Sequence, residues 1–420
     1  MKKEAARLVV SDSKNRIHAM PGLEAAGMEG GRFFRLSKKE FVKLPSGSQL
    51  FVLPGRLPVG YDRETKNFIS LNGLFAVAAF ISPGFTATYS AAYTERLRPK
   101  ILPLFSYSAV VLWRGEFYVT AVKVDNDPRH DPRFIDIGMV RKRAPVIKKL
   151  FPKNRLIKHL ADCALTHGCP GARNFFLHRY EGPLPTSPSC NARCAGCISC
   201  QPDKECPPTQ PRIKFMPTPE EVCEAALFHI ENVDDPVVSF GQGCDGEPLM
   251  AGRLIEKSIR LIRKNTRKGL INMNTNASLP RVISRLLDAG LDSIRVSMNS
   301  VRPEYYKRYY KPKNYTFRDV VRSIELTKKR KAFVSINYLT MPGFTDSEDE
   351  FNSLIKFIES TGIDMIQWRN MNFDPLWYFR KIGAPVDESG LIGVRAIMKL
   401  LKKRFPGLMM GYFNPSKGGL

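Results

Sequence analysis

The chain has 420 residues, 43% of them hydrophobic, and its 65 Lys+Arg against 40 Asp+Glu give a formal net charge of +25. That is enough apolar material for two domains, or for one large domain with an extension, to fold unaided. Residues 2–10 lack the apolar core of a signal peptide, Leu74–Ile81 is far too short to cross a bilayer, and nine cysteines are too sparse for a secreted disulfide framework. A cytoplasmic protein with no membrane partner is therefore expected.

The front of the chain is the more basic part. Residues 1–180 carry 30 Lys+Arg against 14 Asp+Glu, which makes RNA or another polyanion a candidate partner. Short apolar runs at Leu50–Leu53 and Leu74–Ile81 are separated by Pro- and Gly-bearing turns. Tyr107–Trp113 and Phe117–Val124 flank Arg114-Gly115-Glu116 as a hairpin would. These features predict a basic α+β N-terminal domain over residues 1–175, of unassigned role. Within it, residues 141–158 hold eight basic residues and no acid. They form either a nucleic-acid footprint or the wet faces of two short helices. The helical spacing of Val146, Ile147, Leu150 and Phe151, and of Leu156, Ile157 and Leu160, favours the second.

From about Arg179 the pattern changes to strand and helix in alternation. Strands are predicted at His178–Leu184, Val237–Phe240, Leu270–Asn274, Ser293–Met298, Phe333–Leu339 and Met365–Arg369. Thr218-Pro219-Glu220-Glu221 starts a helix, and further helices are predicted at about 253–265, 279–289, 316–330, 348–360 and 390–404. Right-handed crossovers of this kind build a parallel sheet. The expected units are a barrel over residues 176–385 and a C-terminal helix and tail, 386–420, packed on it.

Just after the first strand stands C-N-A-R-C-A-G-C, with Cys190, Cys194 and Cys197 spaced by three and then two residues. Three thiolates on one loop can hold three irons of a four-iron four-sulfur cluster, leaving the fourth iron open to a small molecule. Gly246-Glu247-Pro248 follows beyond the second strand. With this triplet, this G-E-P and this alternation, the chain resembles the radical S-adenosylmethionine (SAM) superfamily.

The resemblance implies an α/β fold, a partial (β/α)6 TIM-like barrel with its chemistry at the carboxyl ends of the strands. It implies one cluster on Cys190, Cys194 and Cys197, SAM chelated to the free iron, and a 5′-deoxyadenosyl radical that abstracts hydrogen. An external electron donor such as flavodoxin or ferredoxin would supply the reducing electron. Gly246, Glu247 and Pro248 fall where the superfamily binds the SAM amino group. Asn274, Asn276, Ser297 and Asn299 fall where it turns polar groups toward the ribose and carboxylate. Two departures stand out: Asp245 replaces the first glycine of the usual G-G-E-P, and Gly196 replaces the aromatic residue before the third cysteine.

No catalytic side chain is assigned. Arg369, Asn370, Asn372 and Asp374, at the end of the sixth strand, are the substrate candidates. The substrate itself stays open: RNA on charge grounds, a peptide or protein as the alternative, with a non-catalytic iron–sulfur protein as a third reading. Cys163, Cys169, Cys200 and Cys206 are candidates for a second cluster or for inert thiols. Tyr305–Lys311 reads either as a base-stacking segment or as the helix start after the fourth strand.

Overall fold

The computed structural model describes residues 6–97, 99–201, 206–386 and 390–419. Between Arg7 and Lys123 the chain forms a thirteen-stranded antiparallel sheet. Its hairpin at Trp113–Glu116 turns on Arg114 and Gly115 at φ 53° and 76°. Positive φ at both central positions is what a type I′ turn requires.

Three helices follow: α1 Ile137–Leu150, α2 Arg155–Leu165 and α3 Pro170–Phe176. They share one buried cluster with the later parallel sheet, through residues such as Leu156, Leu160 and Phe175. In α2 the expected apolar face is buried. In α1 only part of it is: Ile147 is 4% exposed, but Val146 is 58% and Leu150 63% exposed. Val140, Ala144 and Ile147, spaced i, i+4 and i+7, already supply the inward stripe of α1, so the other apolar residues face out.

The second sheet has seven parallel strands in sequential order: β1 Glu181–Leu184, β2 Val237–Phe240, β3 Leu270–Thr275, β4 Ser293–Met298, β5 Phe333–Thr340, β6 Met365–Asn370 and β7 Met409–Gly411. It is an open, partial barrel. β1 starts later than predicted because His178 and Tyr180 sit at φ 54° and 55°, which no strand tolerates. The short β7 pairs with β6 and has too few residues for an alternation signal. The crossover helices are α4 Pro219–Asn232, α5 Gly252–Asn265, α6 Pro280–Ala289, α7 Pro303–Tyr310, α8 Phe317–Lys329, α9 Glu348–Thr361, α10 Pro375–Ile382 and α11 Val394–Arg404. α4 opens on a full capping box, Thr218 with Glu221. No helix among the described residues is long and apolar enough to cross a membrane.

β4 alternates strictly, and the middles of β3, β5 and β6 alternate as well. Ile294, Val296, Val334, Ile336 and Ile366 are wholly buried in the layer shared with Ile259, Ile283, Ile324, Leu354 and Leu401 of the helices. In these stretches the intervening residues are polar and face inward. Asn272 donates to Ser239 Oγ at 3.1 Å and accepts from Ser293 at 2.8 Å, while Arg295 donates to Gln367 at 3.1 Å across two strands. Asn414, just past β7, bonds Gln367 at 2.9 Å and Glu181 at 2.9 Å, bridging opposite sides of the interior.

The front sheet docks against the carboxyl ends of β5 and β6. Thr86 donates to the Trp368 carbonyl at 3.0 Å, and Asn370 both accepts from Ala87 N–H at 2.8 Å and donates to the Phe85 carbonyl at 2.9 Å. Asp374, which caps α10, pairs with Arg56 of the sheet; the two side chains are 0% and 1% exposed.

Candidate functional site

The cysteine loop leaves β1 at the carboxyl end of the barrel and is held from two sides. From below, Asp245 accepts the N–H groups of Thr186 at 3.0 Å and Ser187 at 2.6 Å, and Glu247 N–H reaches the Ser189 carbonyl at 2.8 Å. This explains the departure at Asp245. Its carboxylate clasps the start of the loop, and burial pushes it up to about 7 against the lowering effect of those backbone donors. From above, Arg193 N–H and Ala195 N–H each donate at 2.9 Å to the Tyr310 and Tyr309 carbonyls at the end of α7. Tyr306, Tyr309 and Tyr310 are buried on this side of the loop, so Tyr305–Lys311 is a support for the cysteines and not a base-stacking surface. Gly196 follows from the same packing: a Cβ there would stand 2.5 Å from the Tyr309 hydroxyl and 3.1 Å from Phe373.

Gly246 is equally constrained, since its Cβ would lie 2.0 Å from the Ser189 carbonyl oxygen. Backbone cannot yield cheaply. Gly246→Ala is expected to cost about 1–3 kcal/mol of stability and to lower the iron taken up on reconstitution. Melting and iron analysis check it, and a variant with the parent's melting temperature and iron content would contradict this placement.

The donor set at the loop fits an iron–sulfur cluster. The three thiols are partly buried on one short loop. Burial, then Glu247, pushes Cys190 up to about 11; burial, then Cys197 and Cys190, pushes Cys194 well above the usual thiol range. Thiols that repel one another's ionisation in this way need added positive charge to sit there as thiolates. Arg212, 3.4 Å from Cys197 Sγ, is one nearby cation, which the sequence reading had passed over.

The SAM candidates gather around this loop, each in a different setting. Glu247 is 4% exposed; it accepts from the Thr275 hydroxyl, from Asn276 N–H at 2.8 Å and from Leu249 N–H at 3.1 Å, and Pro248 opens the short turn that follows. Burial pushes its carboxyl up to about 7. Asn276 donates to Asn191 inside the cysteine loop at 2.8 Å, and Asn274 donates to the Gly241 carbonyl at 3.1 Å. Ser297 is half-buried on the inner wall. Asn299 is placed differently: it is wholly buried and donates to the Tyr378 hydroxyl at 3.1 Å, bracing α10.

The substrate candidates also divide. Arg369 lies on the inner face of β6, its guanidinium 4.1 Å over the Tyr412 ring and 3.1 Å from the Tyr412 carbonyl. Asn372 is half-buried beyond the strand end. Asn370 and Asp374 are corrected by the structure: their polar groups are spent on the front sheet, because the sheet docks where the sequence alone suggested an open face. Sequence reasoning missed Arg295, Asn337 and Gln367. Their signal was present as alternation in Ser-Ile-Arg-Val-Ser-Met, Val-Ser-Ile-Asn-Tyr-Leu and Met-Ile-Gln-Trp-Arg-Asn, with polar residues on what a filled barrel would make apolar.

Cys200 is exposed and Cys206 buried. Cys163 stands with Cys244 and His159.

Residues 184–357 match the family model of the Radical SAM superfamily. This stretch, about two fifths of the chain, is thus a match to a radical SAM domain, a family whose cofactors are a four-iron four-sulfur cluster and SAM. Among curated proteins, mouse molybdenum cofactor biosynthesis protein 1 is 27% identical over 225 residues, covering 52% of this chain and 31% of that protein. GTP 3′,8-cyclase of Aquifex aeolicus is 27% identical over 226 residues, covering 51% of this chain and 62% of its own. The chain thus spans less than two thirds of the length of these relatives. Among solved structures, methylornithine synthase aligns with a TM-score of 0.38 at 13% identity, covering 65% of this chain and 74% of that one.

Proposed function

We propose that the chain is a radical SAM enzyme that takes hydrogen from a small substrate bearing an anionic group, held inside the barrel. When bound and reduced, the cluster with its SAM supplies a one-electron cleavage that no side chain can perform. The chain's own part is to hold and to orient. In this reading Cys190, Cys194 and Cys197 hold the cluster, the Gly246-Glu247-Pro248 edge receives the SAM amino group, and Asn274 and Ser297 face its sugar and carboxylate. Asn276 positions the cysteine loop through Asn191. The electron comes from an external donor of the flavodoxin or ferredoxin type.

The observation that carries the substrate half is the positive inner wall. Neither Arg295 nor Arg369 makes an ion pair among the described residues, and Arg295 Nε and Asn337 Oδ1 are buried without a hydrogen-bond partner. Burial, then the Arg369, Arg129, Arg295 and Arg179 charges, holds His130 down to about 3, so the interior is electropositive at a neighbouring point. A phosphate or carboxylate would satisfy such a wall bidentately. A nucleotide is the favoured class, since the name of the Aquifex relative gives GTP as that protein's substrate. RNA rests on charge alone: Lys142, Lys149, Lys153 and Lys158 lie on the exposed faces of α1, α2 and the turn joining them.

Titration of anaerobically reconstituted protein with GTP and with pyrophosphate tests this. Saturable binding is expected, weakened about ten- to hundredfold by Arg295→Met or Arg369→Met, the scale of one charge-assisted hydrogen bond. Iron content serves as the folding control. A parent protein with affinity for neither ligand, or arginine variants that bind as the parent does, would remove the phosphate-bearing substrate.

A further inference from the structure

Cys244 and His159 lie outside every role described so far, and Cys163 was a candidate only for a second cluster or an inert thiol. His159 and Cys163 are four residues apart on α2, which sets both on one face of the helix. Cys244 comes from the loop after β2, immediately before Asp245. The three donor atoms all lie within 4.8 Å of one another. His159 Nε2 is 3.4 Å from Cys244 Sγ and 3.5 Å from Cys163 Sγ. A tetrahedral zinc ion, with Zn–S near 2.3 Å and Zn–N near 2.05 Å, sets nitrogen and sulfur about 3.6 Å apart. The spacing is that of tetrahedron edges around one ion.

We propose that His159, Cys163 and Cys244 form a mononuclear zinc site, separate from the iron–sulfur cluster, that ties α2 to the loop carrying Asp245, Gly246 and Glu247. The donor chemistry suits the ion: one imidazole and two thiols are the soft set that zinc selects. The surroundings suit it too. Cys163 and Cys244 are each 5% exposed, Phe215 lies edge-on to the His159 ring, and Ile213 N–H donates to the Cys244 carbonyl at 2.8 Å, so the ligands are held on both elements. Three protein donors leave the fourth position for a further ligand. The tie reaches the cofactor loop through Asp245, one residue on, whose carboxylate accepts the N–H groups of Thr186 and Ser187.

The test reads metal and not turnover. The full chain with Cys190, Cys194 and Cys197 all changed to Ala removes the cluster and its absorption; it is offered Zn2+ for metal analysis and Co2+ for spectroscopy. About one equivalent of zinc is expected, with cobalt giving thiolate charge-transfer and tetrahedral d–d bands. Cys163→Ser, Cys244→Ser and His159→Gln are each expected to lower zinc affinity at least tenfold, whereas Cys223→Ser keeps it. Added zinc is expected to raise the melting temperature of the parent and not of Cys244→Ser, which separates lost binding from lost folding. The proposal is overturned if excess zinc is not taken up, if the Cys163 and Cys244 variants bind it as the parent does, or if anaerobically purified protein carries a Cys163–Cys244 disulfide. None of these outcomes depends on the substrate reading.

Discussion

Anaerobic reconstitution is expected to load about four irons and four sulfides per chain, and Cys190→Ala, Cys194→Ala and Cys197→Ala each to abolish the cluster spectrum. A site with three protein thiolates has no spare ligand, so loss of one sulfur is a loss of the whole and not a third of it. Reductive release of 5′-deoxyadenosine from SAM should disappear with the cluster, by several orders of magnitude, since nothing else in the chain delivers a single electron. Cys223→Ala, on the buried face of α4, should keep both spectrum and SAM cleavage. Iron and sulfide analysis with electron paramagnetic resonance checks this. Three single variants with normal clusters would discard the triplet as the ligand set.

Why the triplet was legible and much of its support was not has a physical reason. Ligand spacing within eight residues is local, and so are the capping box at Thr218 and the alternation of β3 to β6; one short window holds the entire signal. The support is not local. Tyr309 fills the place left by Gly196 from more than a hundred residues away, and Asp245 clasps the loop of β1 from the loop of β2. Asn370 and Asp374 illustrate the opposite error. Their polarity at a strand end was read correctly as demand for a partner, but the partner is the front sheet, whose docking no periodicity announces. Arg295 and Gln367 could have been found: a barrel strand with polar residues at every second position encloses either a network or a ligand, and here these two residues join in a network across the interior.

Removing the carboxylate of Asp374 is expected to be the costliest single change outside the cluster loop. Asp374→Ala should lower stability by about 3–5 kcal/mol, the scale for leaving one partner of a buried ion pair uncompensated. The physical case rests on how many groups lose their acceptor. Arg56, 1% exposed, would keep a buried charge with only Glu95, at 3.4 Å, as an anionic partner among the described residues. The Tyr93 hydroxyl, 3.2 Å away, and the N–H groups of Leu102 and Trp377 would lose bonds as well. Because Trp377 N–H belongs to the first turn of α10, the change also uncaps that helix. Asp374→Asn, which keeps the cap and one acceptor, should fall between parent and Ala. Arg56→Met with Asp374→Leu should recover most of the loss, since an apolar pair leaves no stranded charge. Chemical denaturation of the four proteins measures the series. A cost below about 1 kcal/mol for Asp374→Ala would put the pair in the class of exposed bridges and would free Asp374 to serve as the substrate contact that its strand-end position first suggested.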